Sequence, residues 1–259
     1  MSMKDRILHR IKQESAAIAP DFLPKFYDRV HAELAFAKES FFIHPLVTRC
    51  REDVLPFLYD DFGHGIDHAK KVAIEACALV MHETLPQGIE VARRLGLLAM
   101  LAGLLHDSCR LEDNHAVHGA ELSRLIFQDY PLDDAEKDII YQAIASHEAF
   151  SSAPTFANPY GQFVADALYD ADKFRWGPDN FNTTLWEICD YQEWTLEQIL
   201  EKFPVGLEII VSITNTFRTQ SGKIYGPEFI ELGLVMGKKI YQIIQKCSQH
   251  DGCLSQTWS

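Results

Sequence analysis

Positive charge is scarce in this chain of 259 residues, which has 24 lysines and arginines against 37 aspartates and glutamates. The formal net charge of -13 disfavours binding to nucleic acid polymers and to anionic membranes. It does not exclude a small phosphorylated substrate, because a metal ion or a local group of basic side chains can reverse the sign of the charge inside a pocket. We therefore expect a small-molecule partner, and neither nucleic acid nor a membrane.

Long apolar runs, a secretion signal and paired cysteines are also missing. The longest apolar run, residues 95–105, is about 11 residues long, whereas a helix needs roughly 20 to span a bilayer. The first ten residues are charged and contain no apolar signal core. The six cysteines include no CxxC pair, which is typical of reduced thiols. These features predict a cytoplasmic protein, while the oligomeric state stays open.

Helical periodicity dominates the chain, and no window alternates apolar and polar residues convincingly enough to predict a strand. The pattern predicts one globular all-α domain over residues 1–259. Asp133, with Glu136 three residues later, is typical of a capping box at a helix start. Helices are predicted at 4–16, 24–40, 47–61, 66–83, 88–106, 115–130, 133–147, 161–173, 179–190, 195–203, 205–219 and 226–248.

Histidines and aspartates recur at the predicted helix ends. A pair of histidines is spaced i, i+4, a His-Asp dipeptide ends the long apolar run, and further members begin or end later helices: His64, His68, His106, Asp107, His115, His118, His147, Asp170 and Asp172. Taken alone, His64 is compatible with a helix cap, His118 with a surface side chain and Asp170 with an ordinary helix-end carboxylate. A single His-Asp dipeptide often arises by chance. Imidazoles combined with carboxylates are the ligands of Mn, Fe, Co, Ni or Zn. Converging helix ends are where helical proteins build such centres, so the set predicts a metal site.

The order of these residues resembles the HD-domain superfamily of metal-dependent phosphohydrolases. The matching motifs are HGIDHAKKV, LLHDSCR, HAVHGAEL, ASHE and YDADKF, which fall within residues 64–174 in the family's order. The resemblance implies an HD core at about 47–185, with helices of 1–46 and 186–250 packed on it. It also implies that one metal ion is held by four ligands: His68, His106, Asp107 and Asp172.

Members of the superfamily with two metals add two histidines, which His115 and His147 match in this chain. In that case Asp107 would bridge the two ions. The resemblance therefore implies one or two divalent transition metal ions, either Mn, Fe, Zn, Ni or Co, with Mg also possible. Four further residues are predicted to lie behind the ligands or near the substrate: His64, His118, Glu148 and Asp170.

The function that the resemblance implies is hydrolysis of a small phosphoester, such as a nucleotide, by metal-activated water. The predicted catalytic residues are Asp107, Arg110 and Lys173, the last two as cations that balance phosphate charge. Two alternatives stay open: a mixed-valent di-iron oxygenase of the HD fold, which shares all six ligands, and a non-catalytic ligand-sensing HD protein. The chain lacks the Gly-Tyr-Pro that follows His-Glu in cyclic dinucleotide hydrolases. It also has Phe150-Ser-Ser where one oxygenase group has Lys-Arg-Tyr.

Overall fold

The described part of the chain is built from α-helices joined by short turns. The computed structural model describes residues 3–58, 65–150, 155–156 and 158–254. No strand occurs among these residues, so the all-α prediction is confirmed. The helices of this part are α1 Met3–Ile18, α2 Phe26–Arg29, α3 His31–Ile43, α4 Pro45–Val54, α5 Ile66–Thr84, α6 Ile89–Leu105, α7 His115–Ile126, α8 Asp134–Ala145, α9 Pro159–Phe174, α10 Leu185–Tyr191, α11 Leu196–Ile213 and α12 Gln220–Leu254.

The predicted helix starts agree best where the sequence carries a capping signal. Asp133 accepts a hydrogen bond from the backbone N–H of Glu136, and the Glu136 side chain accepts one from the backbone N–H of Asp133. This capping box satisfies two N–H groups that the first turn of α8 leaves without a helical partner.

Helix breaks were predicted less well. The single helix predicted at 24–40 is divided at Val30, whose backbone leaves the helical region, into α2 and α3. Conversely, the two helices predicted on either side of Pro204 are one helix, α11. Proline costs a helix interior about 3 kcal/mol. A buried apolar stripe that continues from Ile199 through Phe203 to Ile210 outweighs that penalty. Likewise, the helix predicted from residue 226 begins earlier, at Gln220, with Pro227 inside it.

The core lies where α5, α6 and α9 contact one another, with α8 packed against α6 and α9. Helices α5 and α6 approach so closely at Gly103 that a Cβ atom there would lie 2.6 Å from the Cα atom of Ala73. The start of α5, the ends of α6, α8 and α9 and the start of α7 consequently meet at one end of the bundle. The sequence-predicted ligands belong to these helix ends.

The C-terminal helices complete this end of the molecule. Helix α11 packs on α12, and α12 contacts both α9 and α1. A single π turn at Asn180–Thr184 joins α9 to α10. No helix in the described ranges is long and apolar enough to cross a membrane. The division into a core at 47–185 with flanking helices stays a prediction.

Candidate metal centre

Four side chains from three parts of the chain converge on one point at this end of the bundle. His68 lies in the first turn of α5, His106 and Asp107 follow the last residue of α6, and Asp172 lies in the last turn of α9. One ligand atom from each lies within 4.8 Å of the others. The two Nε2 atoms of His68 and His106 are 3.1 Å apart. All four residues are buried.

Asp107 belongs to a second group as well. Its Oδ2 atom lies 3.5 Å from Nε2 of His68 and 3.4 Å from Nε2 of His106. Its Oδ1 atom lies 3.4 Å from Nε2 of His115 and 3.3 Å from Nε2 of His147. The carboxylate therefore stands between two pairs of imidazoles, with a different oxygen turned to each pair. We call the His68/His106 pair with Asp172 the first side of Asp107, and the His115/His147 pair the second side.

Backbone contacts identify one proton donor in each of two imidazole rings. Nδ1 of His106 is 2.8 Å from the carbonyl oxygen of Gly103, and Nδ1 of His147 is 2.7 Å from that of Ile144. A carbonyl only accepts hydrogen bonds, so each Nδ1 donates. In the neutral rings the Nε2 atoms then present lone pairs to Asp107. Lone pairs and carboxylate oxygens at these distances repel one another unless a cation lies among them.

The spacing of the donor atoms fits a small metal ion. Nε2 of His68 is 3.3 Å from Oδ1 of Asp172, and Nε2 of His106 is 3.7 Å from that oxygen. Ligands at about 2.1 Å from a tetrahedral ion are separated by about 3.4 Å. The measured separations on the first side, from 3.1 to 3.7 Å, bracket that value. The buried His/Asp group is thus able to hold a metal, and its nitrogen and oxygen donors do not single out one element.

The electrostatics of the first side favour a positive charge at its centre. Burial lowers the pKa of His106, but the carboxylates of Asp107 and Asp172 outweigh burial and raise that pKa to about 10. Burial raises the pKa of Asp172, whereas the adjacent Lys173 and the imidazoles outweigh it and hold the pKa well below the usual range. Both shifts reflect two buried carboxylates that require cationic neighbours.

The second side already contains a positively charged side chain of the protein, that of Arg110. Nη1 of Arg110 donates to Nε2 of His115 over 2.9 Å and lies 3.8 Å from Oδ1 of Asp107. At the other nitrogen of the ring, Nδ1 of His115 is 3.1 Å from Oε1 of Glu148. Burial lowers the pKa of His115 to about 4, an effect that Asp107 opposes and Arg110 reinforces. His115 is therefore neutral at neutral pH, with its two nitrogens oriented by Glu148 and Arg110.

Lys173 lies behind the first side. Its Nζ atom donates to Oδ2 of Asp172 and, over 3.1 Å, to the carbonyl oxygen of His147. These contacts turn Oδ1 of Asp172 towards the imidazoles. The ammonium group of Lys173 is buried, and its two contacts indicate that it positions Asp172.

Arg175 lies in a neighbouring buried network. Its guanidinium donates to the carboxylates of Glu75 and Asp179. The hydroxyl of Tyr27 also donates to Glu75, over 2.9 Å. The side chain of Arg175 is only 6% exposed. Its charge is needed to balance two carboxylates, because unpaired charges are costly away from water.

A cavity of about 580 Å³ opens from the metal centre towards the C-terminal helices. Asp107, Arg110 and Lys173 line it at one end, while side chains of the π turn, α10 and α11 line the other. Sequence reasoning missed this second group, which includes Asn180, Phe181, Thr184, Leu185, Ile188, Phe203, Leu207 and Ile210. The only local signal would have been an irregular helix, because single π turns are frequent at functional sites. Their apolar spacing by itself is that of ordinary core positions.

The other predicted site residues lie in different places. His118 is half exposed and bonds to Glu112 on the surface, outside both sides of Asp107. Asp170 is buried and accepts hydrogen bonds from the backbone N–H groups of Arg218 and Thr219, so it ties α9 to the segment before α12. His64 lies outside the described residues. Glu148 contacts His115, as described above.

Comparison with known proteins adds no relative. No family model, no curated protein and no solved structure matches this chain.

Proposed function

We propose that this protein is a metal-dependent phosphohydrolase of the HD-domain type that acts on a small phosphoester. The observation that carries the proposal is the position of Asp107, whose two oxygens face two separate pairs of imidazole nitrogens. A carboxylate placed in this way is suited to serve two cations at once. The motif order of the HD superfamily supports the same assignment.

The geometry supports the ligand roles in this proposal. His68, His106, Asp107 and Asp172 would hold the first ion, and Asp107, His115 and His147 would hold a second. Mn, Fe, Zn, Ni and Co suit these donors, and Mg is also compatible with a hydrolase. Bound divalent ions supply Lewis acidity and the activation of water for attack on phosphorus. The Nδ1 protons of His106 and His147, donated to backbone carbonyls, keep both Nε2 atoms oriented for coordination.

Arg110 is the side chain that we assign to the phosphate. It lines the cavity, its side chain is 40% exposed, and within the described part of the chain its side chain contacts His115 and Asp107 through Nη1 alone. The remaining N–H groups are available for two oxygens of a phosphoryl group, for which the planar guanidinium is well shaped. A cation held here would stabilise the negative charge that develops during transfer.

Lys173 has a positioning role in this proposal. It was predicted as a catalytic cation, but its Nζ atom is committed to Asp172 and to the carbonyl of His147. It would keep Oδ1 of Asp172 turned to the metal centre and offset the charge of that carboxylate. Changes to such outer partners typically weaken metal affinity 10–100-fold.

The test is metal-dependent release of inorganic phosphate. Protein stripped of metal and reloaded in turn with Mn, Fe, Co, Ni, Zn and Mg would be assayed against nucleotides, sugar phosphates and simple alkyl phosphates. We expect release with at least one ion, and its loss in Asp107→Asn. Asp138→Asn is the matched control, because Asp138 is exposed on α8, outside the metal centre.

Two outcomes would replace this proposal. Oxygen uptake by the iron-loaded protein, without phosphate release under any condition, would support the di-iron oxygenase. Ligand binding with neither phosphate release nor oxygen uptake would support the non-catalytic sensor.

A further inference from the structure

The cavity beside the metal centre has two chemically different ends. The end at Asp107 carries carboxylates, imidazoles and the guanidinium of Arg110. The far end is formed by Phe181, Leu185, Ile188, Phe203, Leu207 and Ile210, which we call the apolar wall. A ligand that fills both ends therefore has a polar group at one end and an apolar group at the other.

Polar partners are few at the apolar wall. Among the described residues that line the cavity away from Asp107, Asn180 and Thr184 lie on the π turn, and Lys202 is exposed on α11 near the Trp194 ring. The other polar groups there are the indole N–H groups of Trp176 and Trp194 and the guanidinium of Arg175, which is bonded to Glu75 and Asp179. A nucleoside presents a base edge and sugar hydroxyls, each of which needs a hydrogen-bond partner when buried. A hydrocarbon chain needs none and gains from leaving water. The composition of the apolar wall thus favours a hydrocarbon chain over a nucleoside as the group bound there.

The rim of the cavity is apolar as well. Ile209 lines the cavity and is 46% exposed, so it lies where the cavity meets solvent. Val205, one helical turn before it on α11, is 57% exposed. An apolar rim of this kind is compatible with a long chain whose end extends beyond the cavity.

From this arrangement we propose that the substrate is an amphiphile, a phosphate monoester of a linear or branched hydrocarbon alcohol. The inference rests on the proposed function, because the metal centre and Arg110 take the phosphoryl group. The hydrocarbon chain lies along the apolar wall. In the reaction, water adds to phosphorus, the bond from phosphorus to the ester oxygen breaks, and the alcohol leaves with a proton from water.

A substitution at Gly206 provides a way to shorten the space for the hydrocarbon chain of the substrate. It lines the cavity on α11, and a Cβ atom built there meets nothing within 4 Å. A larger side chain at this position therefore enters open space and does not displace backbone. It also removes a glycine from a helix interior, which favours folding.

The first experiment measures kcat/KM for straight-chain alkyl phosphates from methyl to octyl, with the metal-loaded protein. We expect a rise of about fourfold per added methylene, the effect of burying one such group. In Gly206→Phe the rise should stop at a shorter chain. Val211→Phe, at an exposed position on the same helix and outside both the cavity lining and the rim, should keep the wild-type series. A nucleoside monophosphate preferred over every alkyl phosphate, or the same optimum in Gly206→Phe and wild type, would overturn the inference.

The second experiment separates this inference from the proposed function. Alkylphosphonates, which cannot be hydrolysed at the carbon–phosphorus bond, would be titrated calorimetrically into the wild type and Gly206→Phe. Affinity that rises with chain length in the wild type and stops earlier in the variant supports the apolar wall as a chain site, even if no phosphoester is hydrolysed. Affinity independent of chain length overturns it, even if phosphoesters are hydrolysed.

Discussion

The two sides of Asp107 use the same kinds of residue but differ in their surroundings. On the first side, His68 and His106 face each other and two carboxylates in a buried space, and His106 has no exposed surface. On the second side, the guanidinium of Arg110 already contacts Nε2 of His115, and Arg110 reaches into the cavity. A metal ion on the second side must compete with a charge that belongs to the chain. We therefore expect a tightly held ion on the first side and a weaker one on the second.

The largest effect is expected when the first side is broken. His106→Ala removes one nitrogen donor and leaves two buried carboxylates with less compensation. The affinity for the first ion should fall by more than about 100-fold, since changes to outer partners alone cost 10–100-fold. Metal content after equilibrium dialysis measures this, with His118→Ala as the matched control on the surface. Unchanged metal content in His106→Ala would exclude the assigned centre, and circular dichroism verifies that both variants are folded.

A smaller effect is expected on the second side. His115→Ala should keep the first ion and lose the second, because only Asp107 and His147 would remain as ligands there. Titration calorimetry with Mn²⁺ should give one ion per chain in this variant and two in the wild type at high metal concentration. Two ions bound in the variant would show that His115 is no ligand, whereas loss of both ions would show that the two sides are not separable.

Arg110→Ala tests whether the second side is where phosphate binds. We expect kcat/KM for phosphate release to fall roughly 10²–10³-fold, the usual cost of one preorganised charge donor, without loss of metal. Arg110→Lys should recover only part of the rate, because an ammonium lacks the planar fork of arginine. A variant that hydrolyses phosphoesters at the wild-type rate would assign the phosphate to another group.

The smallest effect concerns the packing that brings the first side together. In Gly103→Ala the new methyl group would overlap Ala73, so α5 and α6 must separate slightly. We expect a loss of about 1–3 kcal/mol in the free energy of unfolding, typical of overpacking. This should lower the melting temperature by several degrees and weaken the first ion more than the second, because His68 and His106 are on these two helices. Gly206→Ala is the control and should melt no lower than the wild type; equal melting of both variants would contradict the packing argument.

Local sequence patterns predicted the helices well where the chain's own chemistry decides them. The capping box at Asp133 is readable from residues three apart, and the apolar run of α6 requires burial wherever it lies. The errors came at Val30, at Pro204 and at the start of α12, which begins at Gln220. Proline at position 204 favours a helix break, but α11 continues past it. The burial of several large apolar side chains of α11 outweighs the cost of a proline in the helix interior.

The sequence by itself determined the helical class, the order of the ligands along the chain and the kinds of donor atom available, because these depend on residue type and on spacing within one helix. Only the tertiary structure decided that Asp107 turns one oxygen to each pair of imidazoles, that Arg110 contacts His115, and that Lys173 holds Asp172. It also placed the apolar wall of residues 181–210 opposite a centre built from residues 68–172. Such distances depend on how separate helices pack, and side-chain packing between elements far apart in the chain leaves no periodic signal in either of them.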